Sequence, residues 1–256
     1  ASAKRINAVI PFFGYARQDR KALAREPITA KLVADLLSVA GVDRVLSVDL
    51  HTGQLQGFFD IPVDHLTALP LLADYIDEKY GKDVVIVAPD AGGARLADKY
   101  AHHLGIEAIA FAQKRRRHDQ PNKTETIGLV GEVEGRFCVI VDEMIDTGGS
   151  IIGAAELVLE NGATDVVAVA THGVFSPPAI ENFAASPISE LAVTNTLPIP
   201  AEKKLDKLTV LSIAPIVAST IKAVFEDESV SEIFKGEHLD SIPPEYRKPG
   251  PDGSGS

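Results

Sequence analysis

The chain has 256 residues, with 36 acidic and 25 basic side chains, a formal net charge of −11 and 45% apolar residues. That apolar content can form a buried core, which excludes a disordered chain. The acidic balance argues against a general nucleic-acid or membrane-surface binder, but not against a local phosphate site. No apolar run approaches the length of a membrane span, and no signal peptide is recognisable. Because Cys138 is the single cysteine, we expect no internal disulfide and a reducing cytoplasm.

Apolar runs of strand length alternate with helical patterns along the chain. The predicted strands are Ile6–Phe13, Val45–Leu50, Val84–Ala88, Ala108–Ala112, Thr126–Val133, Phe137–Val141, Val166–Ala170, Leu191–Asn195 and Leu208–Ile213. The predicted helices are Pro27–Leu37, Leu69–Tyr80, Ala94–Leu104 and Ser150–Leu159, with two more that begin near Pro177 and Pro215. These strands are apolar on both faces, and a helix follows most of them. This order predicts an α/β protein with a parallel sheet.

The best position for a domain boundary is Ile61–Ala68, which contains Pro62 and is followed by Pro70. We therefore expect three parts: residues 1–65, residues 66–227, and a C-terminal segment with a flexible tail at 228–256. The first part has room for two or three strands, which makes a marginal domain by itself. The sequence predicts that this N-terminal domain is incomplete.

The most specific motif runs from Val139 to Ser150. A buried strand delivers two adjacent acids, Asp142 and Glu143, and a loop of small residues then leads into a helix. Backbone amides at such a helix start can bind a phosphate. The two acids can hydrogen-bond the hydroxyls of a sugar or hold a divalent cation. The plainer alternative is a strand, a turn and a capped helix with solvated acids. The whole pattern resembles the phosphoribosyl-binding motif of type I phosphoribosyltransferases.

Further segments narrow this resemblance. They are Tyr15–Lys21, Val48–Phe59, Ala88–Arg95 and the basic run Lys114–Arg117. Together with the 142–150 motif, and in this order, they resemble ribose-phosphate diphosphokinase (PRPP synthetase) from the first residue to about Lys235. The resemblance implies two phosphoribosyltransferase-like parallel-sheet domains. It also implies an ATP-dependent diphosphotransferase that moves the β,γ-diphosphoryl group of ATP to the anomeric hydroxyl of ribose 5-phosphate, giving PRPP and AMP.

The resemblance also implies a role for each group of residues. Lys114 and Arg116, on a loop that closes over the phosphates, are the implied catalytic residues. His51 and Asp90 are the implied ligands of Mg²⁺. Arg17 and Gln18 are the implied contacts of ATP. The implied ribose 5-phosphate site consists of Asp142, Glu143, Asp146, Thr147, Gly148, Gly149 and Ser150. A homo-oligomer, by resemblance a hexamer, is expected, with no nucleic-acid or membrane partner.

Plainer alternatives exist for several of these residues outside the motif context. His51 alone is more typical of a hydrogen-bonded structural histidine, and the run at Lys114 alone is typical of a solvated basic face. Gly14, Gln113, Glu143 and Ser150 depart from residues that the family commonly has at these positions.

Family members carry roughly eighty further residues ahead of the position that matches Ala1, and a sheet without its first strands exposes an edge. This difference leaves three classes open: a working synthetase, a non-catalytic synthetase-associated regulatory subunit or inactive fragment, and an ordinary phosphoribosyltransferase. The last shares the 142–150 motif but does not explain Arg17, His51 or Lys114.

Overall fold

The computed structural model describes residues 2–21, 24–116, 124–226 and 228, with the backbone alone at 114–116 and 124–127. The described residues divide into two compact units. Residues up to Ala68 and from Ala214 onward form unit 1, and Leu69–Ile213 form unit 2. The helix that begins at Ala214 thus groups with the N-terminal residues, whereas the sequence analysis expected it in the second domain. No helix in the described part of the chain is both long and apolar enough to cross a membrane.

Strands and helices alternate through most of the described chain. The strands are β1 (Asn7–Ile10), β2 (Arg44–Val48), β3 (Val63–Leu66), β4 (Val84–Ala88), β5 (Ile109–Arg116), β6 (Thr124–Val130), β7 (Phe137–Ile145), β8 (Asp165–Gly173), β9 (Glu190–Thr194) and β10 (Leu208–Leu211). The α-helices are α1 (Thr29–Val39), α2 (Leu69–Tyr80), α3 (Ala94–Leu104), α4 (Gly149–Glu160), α5 (Ala179–Ala185) and α6 (Ala214–Phe225). This alternation confirms the predicted α/β class.

Unit 1 contains a three-stranded parallel sheet in the order β1-β2-β3. Helix α1 connects β1 to β2 and ends before Gly41, whose φ of +92° favours a glycine. Ala30 and Ala34, one helical turn apart, are fully buried, so α1 approaches its neighbours closely along this face. One buried cluster of the unit consists of Phe13, Ala16, Ala30, Leu50 and Leu55, and Val45, Leu46, Val48 and Leu66 of the sheet are buried as well.

Unit 2 contains a seven-stranded sheet in the order β10-β9-β8-β7-β4-β5-β6. All neighbouring strands are parallel except β5 and β6, which pair antiparallel at one edge. All five residues of β4 are buried, as expected for a strand covered on both faces. Because the strands β4, β7 and β8 run in the same direction, their carboxyl ends lie at one edge of the sheet, where open α/β sheets bind ligands.

Two strands differ from the sequence prediction. Strand β3 lies inside the stretch that the sequence predicts as a domain boundary, because Pro62 directly precedes it and two of its four residues, Asp64 and His65, are polar. Strand β5 continues to Arg116 instead of ending at Ala112, because β6 supplies an antiparallel partner beside it. The basic run thus begins on a strand and not in a loop, with a register shift between Gln113 and Lys114.

Candidate active site

The predicted phosphate loop lies between β7 and α4 in unit 2. Helix α4 starts at Gly149, and its N-cap residue, Gly148, has no side chain that could cap the first amides. Gly148 has φ +83°, and a Cβ atom there would lie 2.5 Å from the ring of Phe183. Glycine is therefore required at this position both by the backbone conformation and by the ring behind it. The loop presents backbone amides at the positive end of a helix dipole, which suits an anion such as a phosphate.

The two acids of the motif lie within β7 and not after it, because the strand runs to Ile145 alongside β8. Asp142 accepts a hydrogen bond from the backbone amide of Glu143 at 2.7 Å. The pKa of Asp142 is raised to about 6, mainly because burial disfavours its charged form and further because of the charges of Glu143 and Asp90. Three carboxylates thus share this edge of the sheet and generate a negative potential there.

Asp90 follows β4, the strand that pairs with β7. Its Oδ1 atom accepts hydrogen bonds from the amides of Gly92 and Gly93, at 2.9 and 3.2 Å. These bonds fix the carboxylate at the start of the short helical turn Ala91–Gly93. The effect of Asp90 on the pKa of Asp142 shows that the two side chains interact. Unit 2 therefore brings Asp90 together with Asp142 and Glu143, beside the 146–150 loop.

Arg17, Gln18 and His51 lie in unit 1, on the loops that follow β1 and β2. Arg17 and Gln18 are exposed, and the amide of Gln18 closes a turn onto the carbonyl of Tyr15 at 2.8 Å. The hydroxyl of Thr52 donates to Asp19 Oδ2 at 2.9 Å and ties the two loops together. Unit 1 thus places its three predicted site residues on adjoining loops at the carboxyl edge of its sheet.

Lys114 and Arg116 lie on β5, paired through the backbone with Thr126 and Thr124 of β6. The positions that follow in the predicted flap, 117–122, lie outside the described residues. Among the residues that the structure describes, no group of three or more His, Cys, Asp or Glu side chains has a metal-site arrangement. A metal at His51 and Asp90 therefore stays a prediction.

Sequence reasoning missed the residues behind the phosphate loop. The side-chain amide of Asn182, on α5, donates to the carbonyl of Thr147 at 3.4 Å, and Phe183 packs edge-on against Phe175. Nearby in the sheet, the buried His172 ring contacts the Thr196 hydroxyl at 2.8 Å. The signals in the sequence were weak: two prolines before a short helix, and polar residues at the end of an apolar strand.

Comparison with known proteins identifies the family. A family model described as the N-terminal domain of ribose phosphate pyrophosphokinase matches residues 1–41, and one described as the phosphoribosyl synthetase-associated domain matches residues 117–235. The ribose-phosphate pyrophosphokinase of Mycobacterium leprae is 55% identical over 237 residues, covering 92% of this chain and 72% of that protein. The enzyme of the same name from Bacillus cereus is 53% identical over 234 residues, covering 91% and 73%.

A solved structure agrees with these relatives. The crystal structure of phosphoribosylpyrophosphate synthetase from Mycobacterium smegmatis matches with a TM-score of 0.81 at 54% identity, covering 88% of this chain and 73% of that one. This likeness confirms the synthetase-type fold that the motifs implied. The comparisons do not favour the alternative of a non-catalytic associated subunit, since the similar proteins carry the enzyme's name. The chain belongs to the ribose-phosphate pyrophosphokinase family.

Proposed function

We propose that the chain transfers the β,γ-diphosphoryl group of ATP to the anomeric hydroxyl of ribose 5-phosphate, giving PRPP and AMP. The observation that carries the proposal is the 55% identity over 92% of the chain to a ribose-phosphate pyrophosphokinase. The geometry of unit 2 supports it independently, because a helix start whose N-cap residue is a glycine lies beside paired carboxylates. That arrangement suits a sugar phosphate, whose phosphate needs donors and whose hydroxyls need acceptors.

Ribose 5-phosphate is proposed to bind along the carboxyl end of β7. The amides of the Asp146–Ser150 loop would hold the 5-phosphate, and Asp142 and Glu143 would accept hydrogen bonds from the sugar hydroxyls. With a pKa of about 6, Asp142 is mostly ionised at pH 7 and accepts well. The Phe183 ring lies directly behind Gly148, and a loop that already has its binding conformation loses less entropy when the sugar binds.

ATP is proposed to contact the loops of unit 1. The Arg17 guanidinium matches the geometry of phosphate oxygens, and Gln18 can hydrogen-bond adenine or a phosphate. Asp90 and His51 would hold Mg²⁺ on the nucleotide. Asp90 offers carboxylate oxygens, which a hard cation prefers, and Mg²⁺ commonly takes only one or two protein ligands and completes its shell with phosphates and water. Mg²⁺ supplies charge neutralisation on the phosphates when bound.

In the proposed reaction, the anomeric oxygen forms a bond to the β-phosphorus while the bond from that phosphorus to the bridging oxygen of AMP breaks. AMP leaves with the bridging oxygen, and the proton of the anomeric hydroxyl is released to solvent. Transfer of this kind needs alignment and charge stabilisation rather than a covalent intermediate. Lys114 and Arg116 are proposed to neutralise the charge on the leaving AMP and the transferred group.

The test measures AMP and PRPP formation from ATP and ribose 5-phosphate by ³¹P NMR, with and without Mg²⁺. We expect Mg²⁺-dependent turnover that His51→Ala abolishes and that Lys114→Ala reduces at least about a hundredfold in kcat. Lys99→Ala, at an exposed lysine of α3, is the matched control and should keep full activity. No turnover by a folded chain would overturn the proposal, and unchanged kcat in Lys114→Ala would overturn the role of that residue.

Oligomeric state and location belong to the same proposal. We propose a homo-oligomer, by family resemblance a hexamer, in a reducing cytoplasm where ATP is available and the buried thiol of Cys138 stays reduced. Light scattering on the purified chain, combined with size-exclusion chromatography, measures the assembly directly. A monomer at micromolar concentration would contradict the oligomer.

A further inference from the structure

The turn that leads into His51 has an unusual backbone. Asp49, directly after β2, has φ +39°, a left-handed conformation that non-glycine residues seldom adopt. Such a conformation costs on the order of 1–3 kcal/mol and persists only where neighbouring groups hold it. The groups that hold this turn therefore decide where the following residues, including His51, are placed.

Three hydrogen bonds tie the turn to β3 or to the two residues beyond it. The amide of Asp49 donates to the Leu66 carbonyl at 2.9 Å. Asp49 Oδ2 accepts from the amide of Ala68 at 2.9 Å. The amide of Leu50 donates to Nε2 of His65 at 2.9 Å. Of the three, the bond to His65 is the one nearest to His51 and the one in which a side chain of β3 accepts.

The bond from Leu50 fixes the protonation of the His65 ring. An imidazole nitrogen accepts a hydrogen bond only when it carries no proton, so Nε2 is unprotonated and a neutral ring carries its proton on Nδ1. The Leu50 side chain is buried in the core of unit 1. Core packing of its side chain and the hydrogen bond of its amide therefore both hold Leu50, the residue that precedes His51.

We propose that His65 is a positioning residue that sets the orientation of His51 toward metal-bound ATP. This inference rests on the proposed function, since that function gives His51 its role. Without an acceptor at Nε2, the strained peptide between Asp49 and Leu50 can rotate and carry His51 away. Residues that orient a metal ligand commonly affect metal affinity or activity by 10–100-fold when removed.

The test compares His65→Leu, which removes the acceptor, with His65→Gln, whose side-chain oxygen reaches the position of Nε2. We expect His65→Leu to raise the Mg²⁺ concentration for half-maximal turnover about tenfold or more, with little change in KM for ribose 5-phosphate. His65→Gln should restore most of the loss. The matched control is Ser47→Ala on β2, the register partner of His65, whose buried hydroxyl has no hydrogen-bond partner among the described residues.

A second readout needs neither substrate nor metal. Histidine ¹⁵N NMR on the unmutated chain should show an unprotonated Nε2 at His65, and hydrogen exchange should show a protected Leu50 amide that becomes unprotected in His65→Leu. A protonated Nε2, or a His65→Leu variant that changes only the melting temperature, would overturn the proposal. Equal defects in the Leu and Gln variants would also overturn it. Absence of turnover in the unmutated chain would count against the proposed function instead, since the NMR and exchange readouts stand without it.

Discussion

Each unit buries a central strand, since four of the five residues of β2 in unit 1 are buried, but the two units differ in how far the rest of the sheet and its helices are covered. In unit 2, every residue of β4 is buried, and the core extends over strands and helices on both faces. In unit 1, the residues of β1 alternate between exposed and half-buried, and Leu36 and Val39 of α1 are 60% and 87% exposed. Because the free energy of unfolding depends on the buried apolar area, we expect unit 2 to be more stable than unit 1.

The units also hold their site loops by different means. In unit 1, hydrogen bonds hold the loops, through Asp19, Asp49 and His65. In unit 2, the phosphate loop rests on a packed aromatic ring, Phe183. Hydrogen bonds are directional but stabilise little in net terms, whereas packing against a core is insensitive to protonation. We therefore expect substitutions that remove a hydrogen-bond acceptor to disturb the loops of unit 1. Substitutions that add side-chain volume should disturb the phosphate loop of unit 2.

The largest expected effect on stability comes from truncating one core side chain in each unit. Leu55→Ala in unit 1 and Ile140→Ala in unit 2 each remove a buried branched chain, at a cost of about 2–5 kcal/mol. Because the core of unit 1 is small, hydrogen exchange followed by mass spectrometry should show unit 1 opening in the first variant. Unit 2 should stay protected in the second. Equal protection of both units in both variants would contradict the comparison.

The next largest effect is expected from a methyl group added to the phosphate loop. Gly148→Ala places a methyl group 2.5 Å from Phe183 at a left-handed backbone position, which alone costs about 1–2 kcal/mol. We expect ribose 5-phosphate affinity to fall more than tenfold by calorimetry. At Gly149 a Cβ atom meets nothing within 4 Å, so Gly149→Ala should be clearly milder. Similar losses in the two variants would show that Phe183 does not shape the loop.

Asp142→Asn should have opposite effects on the stability of the fold and on the binding of ribose 5-phosphate. Because the folded-state pKa of Asp142 is raised to about 6, its ionised form destabilises the folded chain increasingly as pH rises from about 4 to 6. Above pH 6 the asparagine variant should be more stable by about 1–3 kcal/mol while binding ribose 5-phosphate more weakly. Urea denaturation at pH 4 and pH 7 measures the first effect, and Asp98→Asn on the exposed face of α3 is the control. A variant less stable at pH 7 would contradict the raised pKa.

Glu190 should give a smaller effect of opposite sign. Burial raises its pKa, but hydrogen bonds from Lys79, Tyr75, Tyr80 and Thr209 outweigh burial and lower it. A lowered folded-state pKa stabilises the chain above the unfolded pKa of about 4.3, and this stability is lost as pH falls through the folded value. Glu190→Gln should therefore cost about 1–2 kcal/mol at pH 7 and less near pH 3, by urea denaturation. A difference that does not shrink in acid would contradict this assignment.

Much of the fold could be predicted from local patterns. The helices at 69–80 and 94–104 and the strand at 84–88 have the predicted bounds, because a 3.6-residue period and a fully apolar run are strong signals. Strand β3 was missed because its four residues, Val63–Leu66, form a strand only beside β2. The extension of β5 into the basic run was missed for the same reason, since its partner β6 lies across an intervening segment.

The sequence by itself determined the class of fold, the family and the order of the motifs, because these depend on residue types and spacing along the chain. The tertiary structure alone decided which motifs are neighbours. The charge of Asp90 contributes to the raised pKa of Asp142 because β4 pairs with β7, a Cβ atom at Gly148 would meet the Phe183 ring, and Leu50 meets His65 because β3 pairs with β2. Each of these contacts joins residues far apart in the chain. Their free energy comes from burial and strand pairing, which no local pattern specifies.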